Sequence, residues 1–116
     1  MIRDEDRFAH MLEAIRLARE SVEGLTKEQF LANPDKKAAL QHYIMVVGEA
    51  ANMVSDEIKA KYPGVPWREA IGMRNIIAHA YMKTDFNRVW QTVTSDFPEL
   101  ENLLADIQAA YPWPLP

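Results

Sequence analysis

The stretch NPDKKAALQHYIMVVGEAANMVSDEIKAK, residues 33–61, decides the fold. Its apolar positions Leu40, Ile44, Val47, Ala51, Val54 and Ile58 are spaced 4, 3, 4, 3, 4, the seam of a helix that packs against other helices. Asn33 followed by Pro34 supplies an N-cap and a first helical residue whose missing N–H costs nothing there. The pattern therefore predicts one helix from Pro34 to about Lys61, roughly 40 Å long at ~1.5 Å per residue. Gly48, Ala50 and Ala51 are small residues in its middle, where another element is expected to approach closely.

Outward from this helix the punctuation is also helical. Asp4 is the expected N-cap of a helix running to about Val22, with Phe8, Met11 or Leu12, Ile15 and Ala18 or Arg19 on its stripe and Gly24 past its end. Thr26-Lys-Glu-Gln29 has the form of a capping box opening a short turn to about Leu31. Tyr62-Pro-Gly-Val-Pro66 breaks the chain, and a further helix should carry Trp67 to about Ala78. Asp85 is expected to cap a helix from Phe86 to about Ser95, and Asp96-Phe97-Pro98 to kink or restart it until about Ala110. The tail Tyr111-Pro-Trp-Pro-Leu-Pro116 cannot be helical, because each proline disfavours helix in the residue before it. No stretch alternates as a strand would and no repeat is present. The expectation is an all-α bundle of four to five helices, one domain over residues 1–110 followed by a Pro-rich tail over 111–116.

Composition narrows the functional classes. Apolar residues form 48% of the 116, enough for a core, and the absence of cysteine removes disulfide frameworks and thiolate metal sites. His10 and His42 fall on different helices with no partner at ligand spacing, so no metal site and no cofactor is expected; each reads as a surface or interface histidine. No apolar run reaches the ~20 residues of a membrane span, and the charged opening Met1-Ile-Arg-Asp-Glu-Asp6 is unlike a signal peptide, so the expected location is cytoplasmic. The net charge of −4 argues against a protein that coats nucleic acid, since phosphate neutralisation drives that kind of binding. Any action on nucleic acid has to come from a local site.

Arg74-Asn-Ile-Ile-Ala-His79-Ala-Tyr81 supplies such a site. Arginine offers fixed donors to a phosphate, and histidine exchanges protons near neutral pH. On one straight helix Arg74 and His79 would stand about 140° and ~7.5 Å apart, too far round to share a phosphate. Either the helix ends near Ala78 and lets His79 swing round, or two copies of the chain share the site. Taken by spacing alone, an arginine and a histidine near a helix end are also what a helix dipole attracts. Trp67, Trp90 and Phe97 fall on helix stripes and read as core rather than as base-stacking platforms. Arg68, Lys83 and Arg88 flank the motif and could meet RNA or an acidic partner; Glu49 could pair with a basic residue at the cleft or be solvated.

The segment from Pro66 through Arg74-Asn75, His79-Ala80-Tyr81, Asp85 and Val89-Trp90, with Gly48-Glu49-Ala50-Ala51 upstream and Asp96-Phe97-Pro98-Glu99-Leu100 downstream, resembles the HepT-like ribonucleases. These are toxin subunits of the HEPN superfamily, paired with minimal nucleotidyltransferase (MNT) antitoxins in type VII systems. The resemblance runs from the first helix to about Leu104 and matches Arg–x4–His–x–Tyr at all three positions. It implies a homodimeric HEPN-type bundle and a metal-independent endoribonuclease with RNA, such as tRNA or mRNA, as substrate. Arg74, His79 and Asn75 would be its catalytic residues, lining a cleft between two subunits. It also implies that Tyr81 is the site where the antitoxin attaches adenylate. By its position alone, Tyr81 could instead anchor the helix end by packing. The alternatives to a nuclease are a noncatalytic nucleotide- or substrate-binding subunit of a nucleotidyltransferase and a purely structural helical dimer.

Overall fold

The computed structural model describes residues 3–77 and 83–114. Helix α1 spans Asp4–Val22, α2 Lys27–Leu31, α3 Pro34–Met53, α4 Asp56–Lys61 and α5 Trp67–Gly72; α5 tightens into a 3-10 turn at Met73–Ile76. Then come α6, Phe86–Gln91, a π-helical turn at Thr92–Asp96, and α7, Phe97–Ala110. No strand occurs among the described residues, so the architecture is the all-α bundle that the periodicity predicts.

The capping chemistry mostly falls where the sequence puts it. Thr26 and Gln29 form the reciprocal box: the Gln29 N–H donates to Thr26 Oγ1 at 3.1 Å and the Thr26 N–H donates to Gln29 Oε1 at 2.9 Å. Asn33 Oδ1 accepts from the Lys36 N–H, and Asp85 Oδ1 accepts from Asn87 and Arg88. Gly24 ends the first helical region with a φ of +79°, a conformation that side chains disfavour.

Two expectations need correction. Asp4 is the first helical residue of α1 rather than its N-cap, because its carboxylate serves a distant partner: Oδ1 accepts from the Ser55 N–H at 2.9 Å. The long helix of residues 34–61 is also interrupted. Val54 turns to extended backbone at φ −64°, ψ 141°, and Ser55 Oγ accepts from the Ile58 N–H to start α4. Both Val54 and Ile58 stay buried, so the seam crosses the break without losing register.

The core is continuous. Phe8, Met11, Ile15 and Ala18 of α1 meet Leu40, Ile44, Val47 and Ala51 of α3, and Phe97, Leu100 and Leu104 of α7 close the other side. Helix α3 lies at the centre, against α1 on one flank and α5 with its 3-10 turn on another. Trp67 and Phe97 are core residues as expected, and Trp90 is half-buried against Phe30 with ring centres 5.4 Å apart. The tail is partly engaged with the bundle: Trp113 meets Phe8 edge to face with ring centres 5.4 Å apart and donates from Nε1 to the Gln108 carbonyl at 2.9 Å. Among the described residues no helix is long and apolar enough to cross a membrane.

Candidate active site

The motif segment leaves the helix early. After Gly72 the backbone winds into the tighter 3-10 turn, the Ile77 N–H donates to the Arg74 carbonyl at 3.1 Å, and Ile77 opens to extended backbone at ψ 105°. Met73 is buried and Ile76 and Ile77 pack partly on the core, so the apolar members of the turn fix it in place. The α-helix expected to run from Trp67 to about Ala78 thus ends at Gly72, before Arg74, and the 3-10 turn that continues it ends at Ile76, so the straight-helix geometry of about 140° does not apply from Arg74 onward. Ala78, His79 and Tyr81 lie outside the described residues.

Arg74 is placed from two sides. Its aliphatic stem lies across Gly48 of α3, so closely that a Cβ at position 48 would collide with Arg74 Cγ and stand 3.3 Å from its backbone nitrogen. This is the close approach that the small residues of α3 foretell. Its head turns to the next residue of α3: Nη1 donates to Glu49 Oε1 at 3.2 Å, with the Arg74 side chain 32% and the Glu49 side chain 57% exposed. The sequence left Glu49 open between pairing and solvation; it pairs. Asn75, the next residue, is exposed.

The chain beyond the motif returns to the same helix. Thr84 is buried, and its Oγ1 accepts from Gln41 Nε2 at 3.0 Å. Gln41 and Gly48 are seven residues apart on α3, two turns along one face, about 10 Å. The segment carrying the motif is thus tied to α3 at both described ends. Neither Gln41 nor Thr84 bears a sequence signature, because a hydrogen bond across 43 residues leaves none.

Magnitudes bear on what this arrangement is for. A glycine inside a helix costs about 0.8–1.0 kcal/mol relative to alanine. An ion pair this exposed returns ~0–1 kcal/mol. The ion pair therefore offsets the glycine at most in part, and the rest of what the seat contributes comes from the arginine stem packed on Gly48. Together they seat an arginine side chain that is about one-third exposed, with the exposed Asn75 next to it in the chain. A guanidinium so held suits phosphate binding and charge stabilisation. His10 and His42 are exposed, and no metal-binding group of His, Asp or Glu occurs among the described residues.

Comparison with known proteins covers most of the chain. Residues 11–107 match the family described as Ribonuclease HepT-like. The chain belongs to the HepT-like ribonucleases. It is 32% identical over 97 residues to a protein of Thermococcus cleftensis named "Probable ribonuclease HepT", covering 84% of this chain and 88% of that one. It is 31% identical over 98 residues to a candidate RNase of Caldanaerobacter subterraneus subsp. tengcongensis, covering 84% and 88%. A candidate RNase of Methanocaldococcus jannaschii is 29% identical over 100 residues, covering 85% and 92%. No solved structure matches. The HepT-like region runs from within α1 to within α7, and the seat of Arg74 lies inside it.

Proposed function

We propose that this chain is the toxin of a type VII toxin–antitoxin pair, a homodimeric, metal-independent endoribonuclease with a composite site of Arg74, Asn75 and His79 at the subunit interface. The observation that carries this reading is the seating of Arg74 on Gly48, just before the helical winding ends at Ile77, in a chain of the HepT-like ribonuclease family.

The chemistry follows from the residue types. The RNA 2′-oxygen attacks the adjacent phosphorus while the bond to the 5′-oxygen breaks, leaving a 2′,3′-cyclic phosphate and a 5′-hydroxyl. One proton must leave the 2′-oxygen and one must reach the 5′-oxygen, and imidazole is suited to both transfers. Arg74 binds the scissile phosphate and stabilises the charge that grows on its oxygens. Asn75 orients the phosphate or the imidazole by hydrogen bonding. Attack by the substrate's own hydroxyl needs no protein nucleophile and no metal-bound water. Two subunits facing one another would supply the second set of groups that one chain lacks.

Control is assigned to Tyr81. An MNT antitoxin would transfer adenylate from a nucleoside triphosphate to the phenolic oxygen, with pyrophosphate leaving. The adduct places a bulky anion two residues from His79, where it repels phosphate and blocks the cleft.

His79→Ala tests the nuclease. Cleavage of RNA should fall about 100- to 10,000-fold, the span typical of a lost general acid or base, while EDTA leaves the wild-type rate unchanged. Undiminished cleavage by the variant rejects the assignment. RNA binding without turnover in wild type would instead indicate the noncatalytic subunit. Mass spectrometry after coexpression with the antitoxin should find one added adenylate on Tyr81 and none on Tyr81→Phe.

A further inference from the structure

We infer that Glu49 is a positioning residue for the nuclease reaction: its carboxylate pins the Arg74 guanidinium so that the remaining donors face the scissile phosphate. The inference rests on the nuclease reading above and assigns a residue outside the Arg–x4–His–x–Tyr motif.

Three observations converge on it. Adjacent residues of one turn of α3 constrain Arg74 at both ends of its side chain, Gly48 beneath the stem and Glu49 at the head. The bond to Glu49 runs from Nη1 and so uses one of five guanidinium N–H donors. A guanidinium binds phosphate best through two parallel N–H groups, and fixing Nη1 on the protein side directs the opposite edge outward. Finally, the arginine sits on a 3-10 turn at the end of its helix rather than in a helix interior, so its backbone alone does not dictate where the head points. A long side chain with several rotatable bonds needs a second anchor to act as a preorganised donor.

A carboxylate beside the phosphate seat also has a cost in charge. It repels the incoming phosphate and partly neutralises the arginine that receives it. A positioning role therefore makes a particular kinetic pattern: removing the charge should leave substrate binding unchanged or tighter while turnover falls.

The test is a double-mutant cycle with Glu49→Gln and Arg74→Lys, read as kcat and KM for RNA cleavage. Glu49→Gln should lower kcat about 10- to 100-fold, the loss expected from misplacing a catalytic group, with KM equal to or below that of wild type. Glu49→Asp should recover part of the rate. In the Arg74→Lys background Glu49→Gln should change kcat by less than about twofold, because coupled residues are not additive. Equal, additive losses in both backgrounds, or a fully active Glu49→Gln protein, overturn the inference. Nitrogen-detected NMR of the Arg74 guanidinium reads the pin without any RNA. Hindered rotation about its Nε–Cζ bond in wild type and free rotation in Glu49→Gln support the inference; free rotation in both overturns it. Wild type that fails to cleave RNA removes the nuclease reading separately, and the NMR result still decides whether the pin exists.

Discussion

Gly48 sits in the interior of a 20-residue helix, where alanine would ordinarily be the better residue. Replacing it separates propensity from function. In Gly48→Ala the gain of about 1 kcal/mol in helix propensity is set against a collision with Arg74 Cγ. Unfolding free energy should therefore change by less than ~1 kcal/mol, while a guanidinium displaced by an ångström loses about 100-fold in kcat/KM. Urea denaturation beside RNA cleavage kinetics checks both halves; full activity would mean that Arg74 can take another path without loss. The seat itself was half legible. A run of small residues in α3 announces that something comes close, but only the three-dimensional structure identifies that something as the stem of Arg74. For Glu49, a carboxylate after a glycine looks the same whether its partner is water or an arginine 25 residues on.

At the scale of elements, the joint between α3 and α4 explains why the periodicity misled. A heptad-like spacing records which residues face the core, and Val54 and Ile58 do face it on either side of the break. The interruption leaves no mark on the spacing. Its mark is Ser55 followed by Asp56 and Glu57, a cap with two acids in the first turn, which an uninterrupted stripe conceals. The same joint receives the Asp4 carboxylate, so it ties the start of α1 to the end of α3. Ser55→Ala should destabilise the fold by about 1 kcal/mol through loss of the cap, measured by urea titration, with the slope unchanged. An unaltered midpoint would show that the Asp4 contact alone holds the joint. The shift from α to 3-10 winding after Gly72 was not readable at all. It depends on Met73, Ile76 and Ile77 finding apolar contacts in the assembled bundle.

For the molecule as a whole, acidity and aromatic closure make separate predictions. With a net charge of −4 and a site built around one seated arginine, the chain should neutralise few phosphates. Binding of a noncleavable single-stranded RNA should weaken with salt at a slope near −0.7 to −1.4 in a double-logarithmic plot, the value for about one or two phosphates. A slope several times steeper would mean that an extended basic track, not a local site, holds the RNA. The closure lies at the other end of the chain. Trp113 meets Phe8 edge to face and packs at a tilt on Tyr111, whose ring is 4.7 Å away. Trp113→Ala should cost about 2 kcal/mol, two aromatic pairs at ~1 kcal/mol each, seen as a lower urea midpoint. The prolines of the tail foretold only that it is not helical. Trp113 finds its partner Phe8 more than a hundred residues earlier and Tyr111 finds Tyr62 in the break after α4, pairings that no local pattern could reveal.

The seat of Arg74 also has an evolutionary consequence. So long as the guanidinium is in use, position 48 is closed to every side chain, whatever else drifts around it. A lineage that abandoned the chemistry would be released from that restriction, and alanine or serine would then enter the helix at no loss. If Arg74 serves catalysis as proposed, the residue at position 48 would therefore track whether that role is retained.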